Sequence, residues 1–281
     1  MIRLANERGE VEVRPELGAG VTAFRWDGYD ILRPTPADAD DVLQMGNFVL
    51  APFCNRIRDG AFVFDGQAVR LPPNLGDQPH ALHGQAWRQP WRVIAQTSTA
   101  LELAYEHTPG DWPWRYEVVQ TISLTENGLV QTATLTNTDA RAMPAGLGFH
   151  PAFPAPAGTR LQADVRGVWM IDEEVMPTDW RPLDWGPDWR SGAQVDSGTF
   201  VDNSYTDWGG EAVLTGLAPK PVRLEASSNC RWLHVFAPVG GGFVCVEPVS
   251  NRPDPFNGDD SGLQILAPGE GMTVSMWLSV R

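Results

Sequence analysis

The last residues of the 281-residue chain alternate between apolar and mostly polar side chains. Met272, Val274, Met276, Leu278 and Val280 fall on one side of an extended strand, and Thr273, Ser275, Trp277 and Ser279 on the other. A period of two marks a half-buried β-strand. Tyr116, Val118, Ile122 and Leu124 repeat it along Tyr116–Leu124. Dipeptides that tolerate positive φ separate such runs. Asp27-Gly28 lies between Val21–Trp26 and Tyr29–Leu32, Asp65-Gly66 between Ala61–Phe64 and Gln67–Leu71, and Asn127-Gly128 between Tyr116–Thr125 and Leu129–Thr136. Each has the chemistry of a type I′ hairpin turn. No stretch carries a long 3.6-residue apolar period, and 24 prolines and 28 glycines punctuate the chain. The pattern predicts an all-β protein, a large antiparallel β-sandwich. Without an internal repeat or a low-complexity linker, a single domain over 1–281 is expected. Asp172–Gly198, rich in Pro, Trp and Asp, reads as a long ordered loop.

Composition narrows the partners. A hydrophobic content of 42% supports a sizeable core and excludes intrinsic disorder. A net charge of −14 repels phosphate backbones and anionic headgroups, so neither nucleic acid nor membrane is an expected partner. Residues 1–8 lack the apolar core of a signal peptide, and no run approaches the roughly 18–20 apolar residues of a membrane span. Cys54, Cys230 and Cys245 are odd in number and far apart, which implies no disulfide framework and suits a cytoplasmic protein. Twelve tryptophans stand against four tyrosines. Most are expected in packing, with one or two left for the flat face of a ligand.

Four segments concentrate polar chemistry. Arg56, in Asn55-Arg56-Ile57-Arg58-Asp59-Gly60, reads as an ion-paired structural residue or a ligand contact. His80 and His83 have i, i+3 spacing but no converging third metal ligand, so a histidine hydrogen-bonded to backbone or ligand is expected rather than a metal centre. Gly146, Gly148 and His150 share one side of an extended segment, where the glycines either clear room for a ligand or mark a bulge. Glu247 closes the apolar run Phe243–Val246, a costly place for a carboxylate unless it is paired or used. Asp202 reads alone as a turn residue. His107 and His234, without supporting context, are assigned to structure.

Taken in order, these segments resemble the aldose 1-epimerases, or galactose mutarotases. Asn55-Arg56-Ile57, Leu82-His83-Gly84, His150-Pro151 with Phe153, Asp202-Asn203, Val246-Glu247-Pro248 with Pro253-Asp254, and Leu266-Ala267-Pro268-Gly269-Glu270 are each similar to a segment of that family. Departures are Ala152 after His-Pro, Gln85 where a second glycine is usual, and Ser250-Asn251 in place of Ser-His. The resemblance implies the supersandwich fold with an open sugar cleft. It implies Glu247 as general base, His150 as general acid, and Arg56, His83 and Asp202 as sugar-positioning groups. It also implies that no cofactor and no metal are used.

Opening a cyclic hemiacetal removes a proton from the C1 hydroxyl and delivers one to the ring oxygen, so the acid and base are expected on opposite sides of the sugar. Ordinary pKa values of about 4.3 for glutamate and 6.5 for histidine place an acid limb with Glu247 and a basic limb with His150. Three other readings compete: a carbohydrate-binding module, a glycosidase with two carboxylates, and a hexose-6-phosphate epimerase with a basic phosphate pocket.

Overall fold

In the computed structural model, which describes residues 1–281, the alternating runs become strands with one buried face. Tyr116–Thr125 buries every second residue, and Gly271–Val280 buries Met272, Val274, Met276 and Leu278. Two hairpins close on the expected turns. Trp26 pairs with Tyr29 around Asp27-Gly28, and Phe64 pairs with Gln67 around Asp65-Gly66. All four turn residues have φ between 49° and 84°, as type I′ requires. The third hairpin closes one residue earlier. Thr125 pairs with Gly128, so the turn is Glu126-Asn127 and Gly128 begins the next strand. Its lack of a side chain serves a neighbour, since a Cβ there would lie 1.9 Å from the carbonyl oxygen of Leu278.

The strands form a nine-stranded, an eight-stranded and a four-stranded antiparallel sheet, with three small two-stranded pairs. The fold is all-β, and the only helical pieces are four short 3₁₀ turns. Asp172–Gly198 is not wholly loop. It carries the strand Pro177–Pro182, a 3₁₀ turn at Trp189–Ser191 and the short strand Ala193–Gln194. Pro177–Pro182 is an almost fully exposed edge strand, so it shows no alternation to read. No helix is long and apolar enough to cross a membrane.

One cluster of 61 buried residues joins all three large sheets. Val11 and Phe24 enter it from the four-stranded sheet, Val118 and Leu135 from the nine-stranded, and Leu233 and Val246 from the eight-stranded. A polar chain crosses this interior. Asn47 donates to Gln131 Oε1 at 2.6 Å, and Gln131 donates to Gln120 Oε1 at 3.1 Å. Both glutamines are fully buried, so losing the middle link strands a donor and an acceptor. Gln131→Met, close in volume, is expected to lower unfolding free energy by about 1–3 kcal/mol in urea titration. A change within about 0.5 kcal/mol would show that the chain contributes nothing.

The eight-stranded sheet positions the polar residues of interest. Its order runs Pro177–Pro182, Gly167–Ile171, Val201–Thr206, Trp232–Ala237, Phe243–Val249, Gly148–Phe149 and Val49–Leu50, with Ala152–Pro154 also pairing with Phe243–Val249.

Candidate active site

Glu247 lies in a strand flanked on both sides. Across one flank the register places His234 directly opposite Glu247. Across the other, Gly148 faces Val249 and Ala152 faces Cys245, which puts His150 opposite Glu247 at the break between two short strands. Opposed residues on adjacent strands point to the same face. The sheet thus presents His150, Glu247 and His234 in a row, with Asp202 one step diagonally beyond His234.

The row floors a cleft of about 270 Å³, which Asn55, Arg56 and His83 line from the other side. All five residues singled out in the sequence therefore meet: Glu247, His150, Arg56, His83 and Asp202. His150 Nε2 lies 3.2 Å from Glu247 Oε1. Phe48 stacks on the His150 ring at 4.5 Å and 18°, and His83 meets it edge-on at 5.4 Å. His150 is therefore held in one plane with its Nε2 on the carboxylate.

The two groups expected on opposite sides of a sugar therefore lie side by side, in direct contact.

The second half of the site is built from tight turns. Asn55 and His83 both have positive φ, at 63° and 58°. The Asn55 backbone N–H donates to His83 Nδ1 at 3.0 Å, which leaves the imidazole proton on Nε2. Gly84 permits the turn after His83, since φ there is +73° and a Cβ would lie 2.2 Å from the carbonyl oxygen of Ala51. Arg56 donates from Nε to Gln78 Oε1 at 3.1 Å and approaches Asp202 Oδ2 at 3.6 Å. Both readings of Arg56 hold at once: it is ion-paired and it lines the cleft. His80 instead accepts the Asp59 N–H at Nδ1, away from the cleft, and so shares no site with His83.

His234, expected only to support the structure, lines the cleft as well. Its Nε2 lies 2.8 Å from Asp202 Oδ1, and Asn55 Nδ2 is 3.4 Å from the ring. The signal was available in Trp232-Leu233-His234-Val235-Phe236. A titratable residue inside an apolar strand carries the same warrant as Glu247 in its own strand. Asn55 was also missed as a lining residue. Gly146 and Gly148 do not clear room for a ligand. A Cβ at Gly146 would meet Asn251 Oδ1 at 2.0 Å, and one at Gly148 would meet Val249 at 2.7 Å and the Cys54 sulfur at 3.0 Å. Their space is filled by protein. Asn251, at the departure from Ser-His, clamps Cys54 by accepting its N–H and donating to its carbonyl, each at 3.0 Å.

Burial dominates the electrostatics. It raises Glu247 to about 8, with Asp202 adding to the rise and the His234 and Arg56 charges opposing it. It lowers His150 to about 3 and holds His83 well below the ordinary histidine value. His234 runs the other way. Burial disfavours its cation, but the facing Glu247 and the bond to Asp202 outweigh that and raise it. Asp202 is lowered, because burial is outweighed by the His234 hydrogen bond and charge and by Arg56. Asp202 thus sits between Arg56 and His234, beside the Glu247–His150 pair. Burial thus moves the two groups in opposite directions, Glu247 above and His150 below the ordinary values of about 4.3 and 6.5. Ligand atoms of His150, Cys245 and Glu247 lie within 4.8 Å of one another, a mixed N, S, O set able to hold a thiophilic ion.

A β-sandwich whose sheet face carries a buried carboxylic acid–imidazole pair beside an ion-paired aspartate is a frame for moving protons on a small polar ligand. The chain belongs to the aldose 1-epimerase family, whose sequence profile matches residues 1–279. It is 32% identical over 277 residues to YphB of Escherichia coli strain K12, a protein without an assigned activity, covering 94% of this chain and 93% of that one. A crystal structure of a putative aldose 1-epimerase from E. coli K12 superposes with a TM-score of 0.92 at 29% identity, covering 99% and 98% of the two chains. A galactose mutarotase-like protein from Clostridium acetobutylicum shares the fold with a TM-score of 0.87 at 22% identity, covering 99% and 94%.

Proposed function

We propose that this protein interconverts the α and β anomers of a free aldohexose such as galactose or glucose by general acid–base ring opening, without a cofactor. The observation that carries the reading is the 3.2 Å contact between His150 Nε2 and Glu247 Oε1 on the floor of the cleft. Glu247 takes the proton of the C1 hydroxyl while His150 gives one to the ring oxygen. The C1–O5 bond breaks, C1–C2 rotates, and the reverse transfers close the other anomer. A hydroxyl donated to Glu247 stabilises its carboxylate, so sugar entry draws the shared proton toward His150 and readies both groups. No electrons are exchanged and no covalent adduct is needed. Arg56, His83 and Asp202 hold the sugar hydroxyls.

The reading favours an unphosphorylated sugar. Arg56, the one arginine lining the cleft, already faces Asp202, as does His234, which leaves no uncommitted basic pair for a phosphate. A binding module would have no use for a carboxyl buried against an imidazole. The test is proton NMR of freshly dissolved α-D-galactose and α-D-glucose with and without protein. Equilibration faster than the buffer rate is the expected result, with glucose 6-phosphate slower. Anomer exchange at the buffer rate for both free sugars sinks the proposal, and a preference for the 6-phosphate sinks its substrate.

His234 has a calculable part. Its cation opposes the rise of the Glu247 pKa, so a neutral substitute lets that pKa climb further. His234→Gln keeps a hydrogen bond to Asp202 and is expected to lower kcat/KM about tenfold while moving the basic limb up by about one pH unit. A drop in rate without that displacement would mean the residue only packs.

A further inference from the structure

We propose that the protein has a second carbohydrate-binding site, a tryptophan-lined cleft on the same sheet face as the catalytic cleft, for a glycosyl unit of a neutral glycoside or oligosaccharide. The sequence's excess of tryptophan leads to it. None of the twelve lines the catalytic cleft. Four of them, Trp169, Trp180, Trp208 and Trp232, converge instead on a separate surface cleft of about 480 Å³, within the usual range of small-molecule sites.

The sheet register fixes the relation between the two clefts. Asp202 and Thr206 lie on one face of the same strand, four residues or about 13 Å apart. Trp232 and His234 share a face of the next strand, two residues apart. Gly167 pairs with Thr206, Trp169 follows two residues later, and Trp180 pairs with Trp169. The tryptophans therefore extend the face that carries Asp202, His234 and Glu247.

The cleft is built, not incidental. A Cβ at Gly167 would lie 2.4 Å from the Trp180 indole nitrogen, so only glycine lets that ring lie over the strand. Trp180 Nε1 then donates to Thr206 Oγ1 at 3.1 Å, which fixes the ring although the residue is 48% exposed. Arg252 and Arg231 stand 4.8 Å over Trp169 and Trp232, each covering one ring face, and Trp208 and Trp232 are buried in the wall, so Trp180 is the exposed platform. A large aromatic kept rigid and half in water offers a flat apolar face at little entropic cost.

The rim selects the ligand. Asp207 and Asp260 supply carboxylate acceptors, Arg231 supplies donors, and the Thr206 hydroxyl, already accepting from Trp180, keeps its own proton to give. The exposed Trp180 indole beside the Arg231–Asp260 pair and Asp207 matches the C–H face and hydroxyl edge of a pyranose. The carboxylates and the net charge of −14 disfavour nucleotides and other anions.

The test follows the indole N–H signals in proton–nitrogen NMR during titration with methyl α-D-glucopyranoside and with maltose. The signals of Trp169 and Trp180 are expected to move with millimolar affinity and to saturate by about 20 mM. Trp180→Ala should abolish the movement while leaving anomerisation of free glucose within twofold, and Glu247→Gln should retain it. Because Trp180 is half exposed, its removal leaves the core intact, and Trp180→Phe should keep part of the binding. Indole signals that stay still to 20 mM with both probes, or that still move in Trp180→Ala, overturn the second site. Neither outcome bears on the proton-transfer pair.

Discussion

Glu247→Gln should lower kcat by at least about 10²-fold while sugar binding survives. The amide keeps the shape and an acceptor oxygen but neither takes nor gives the proton that anomer exchange moves. If Glu247 only anchored a hydroxyl, the same change would raise KM and leave kcat near normal. His150→Gln should bring a comparable fall, because its Nε2 is the other end of the same 3.2 Å contact. The double variant should lose far less than the product of the two, since groups acting as a unit are not additive. Arg56→Ala and Asp202→Asn should raise KM more than Glu247→Gln does. A near-normal kcat in Glu247→Gln would move the base to Asp202, the other buried carboxylate of the cleft.

Activity should fall as pH rises through about 8, by about tenfold per unit beyond it. The sign follows from the pair. Burial raises Glu247 to about 8 and lowers His150 to about 3, so between those values the two hold one proton. Above about 8 that proton leaves, and no acid remains for the ring oxygen. Below about 3 both are protonated, and no base remains for the C1 hydroxyl. The two limbs belong to the pair as a whole. The measurement is kcat/KM from pH 5 to 10. A basic limb near 6.5 would restore the ordinary histidine assignment, and a flat profile to pH 10 would refute the shared proton. In Glu247→Gln the residual rate should lose this limb.

What the sequence revealed was set by the range of the interaction behind each feature. Type I′ turns at Asp27-Gly28 and Asp65-Gly66 depend on two adjacent residues, and both were readable. Gly128 looked like a turn residue because its true constraint is the carbonyl oxygen of Leu278, 150 positions away. Gly146 and Gly148 looked like ligand space because Asn251, Val249 and Cys54, which fill it, are remote in the chain. Glu247 was readable because a carboxylate in an apolar run is conspicuous by itself. His234 in its own apolar run needed only the same rule, but its partners Asp202 and Glu247 are visible only in the strand register. The order of the two pKa values was not readable at all, since it depends on how deeply both groups are buried.

The two sides of the cleft rest on different backbone. Glu247 and His234 stand on strands with hydrogen-bonded neighbours on both flanks, whereas Asn55 and His83 stand on turns at positive φ. Amides in doubly flanked strands exchange with solvent only when much of the molecule opens, while such turns open alone at lower free energy. Glu247, His234 and Asp202 thus inherit the stability of the whole sandwich, whereas Asn55 and His83 rest on backbone that opens at lower free energy. In the proposed reaction, give in the turns on the Asn55–His83 side would leave the contact between His150 and Glu247 in place.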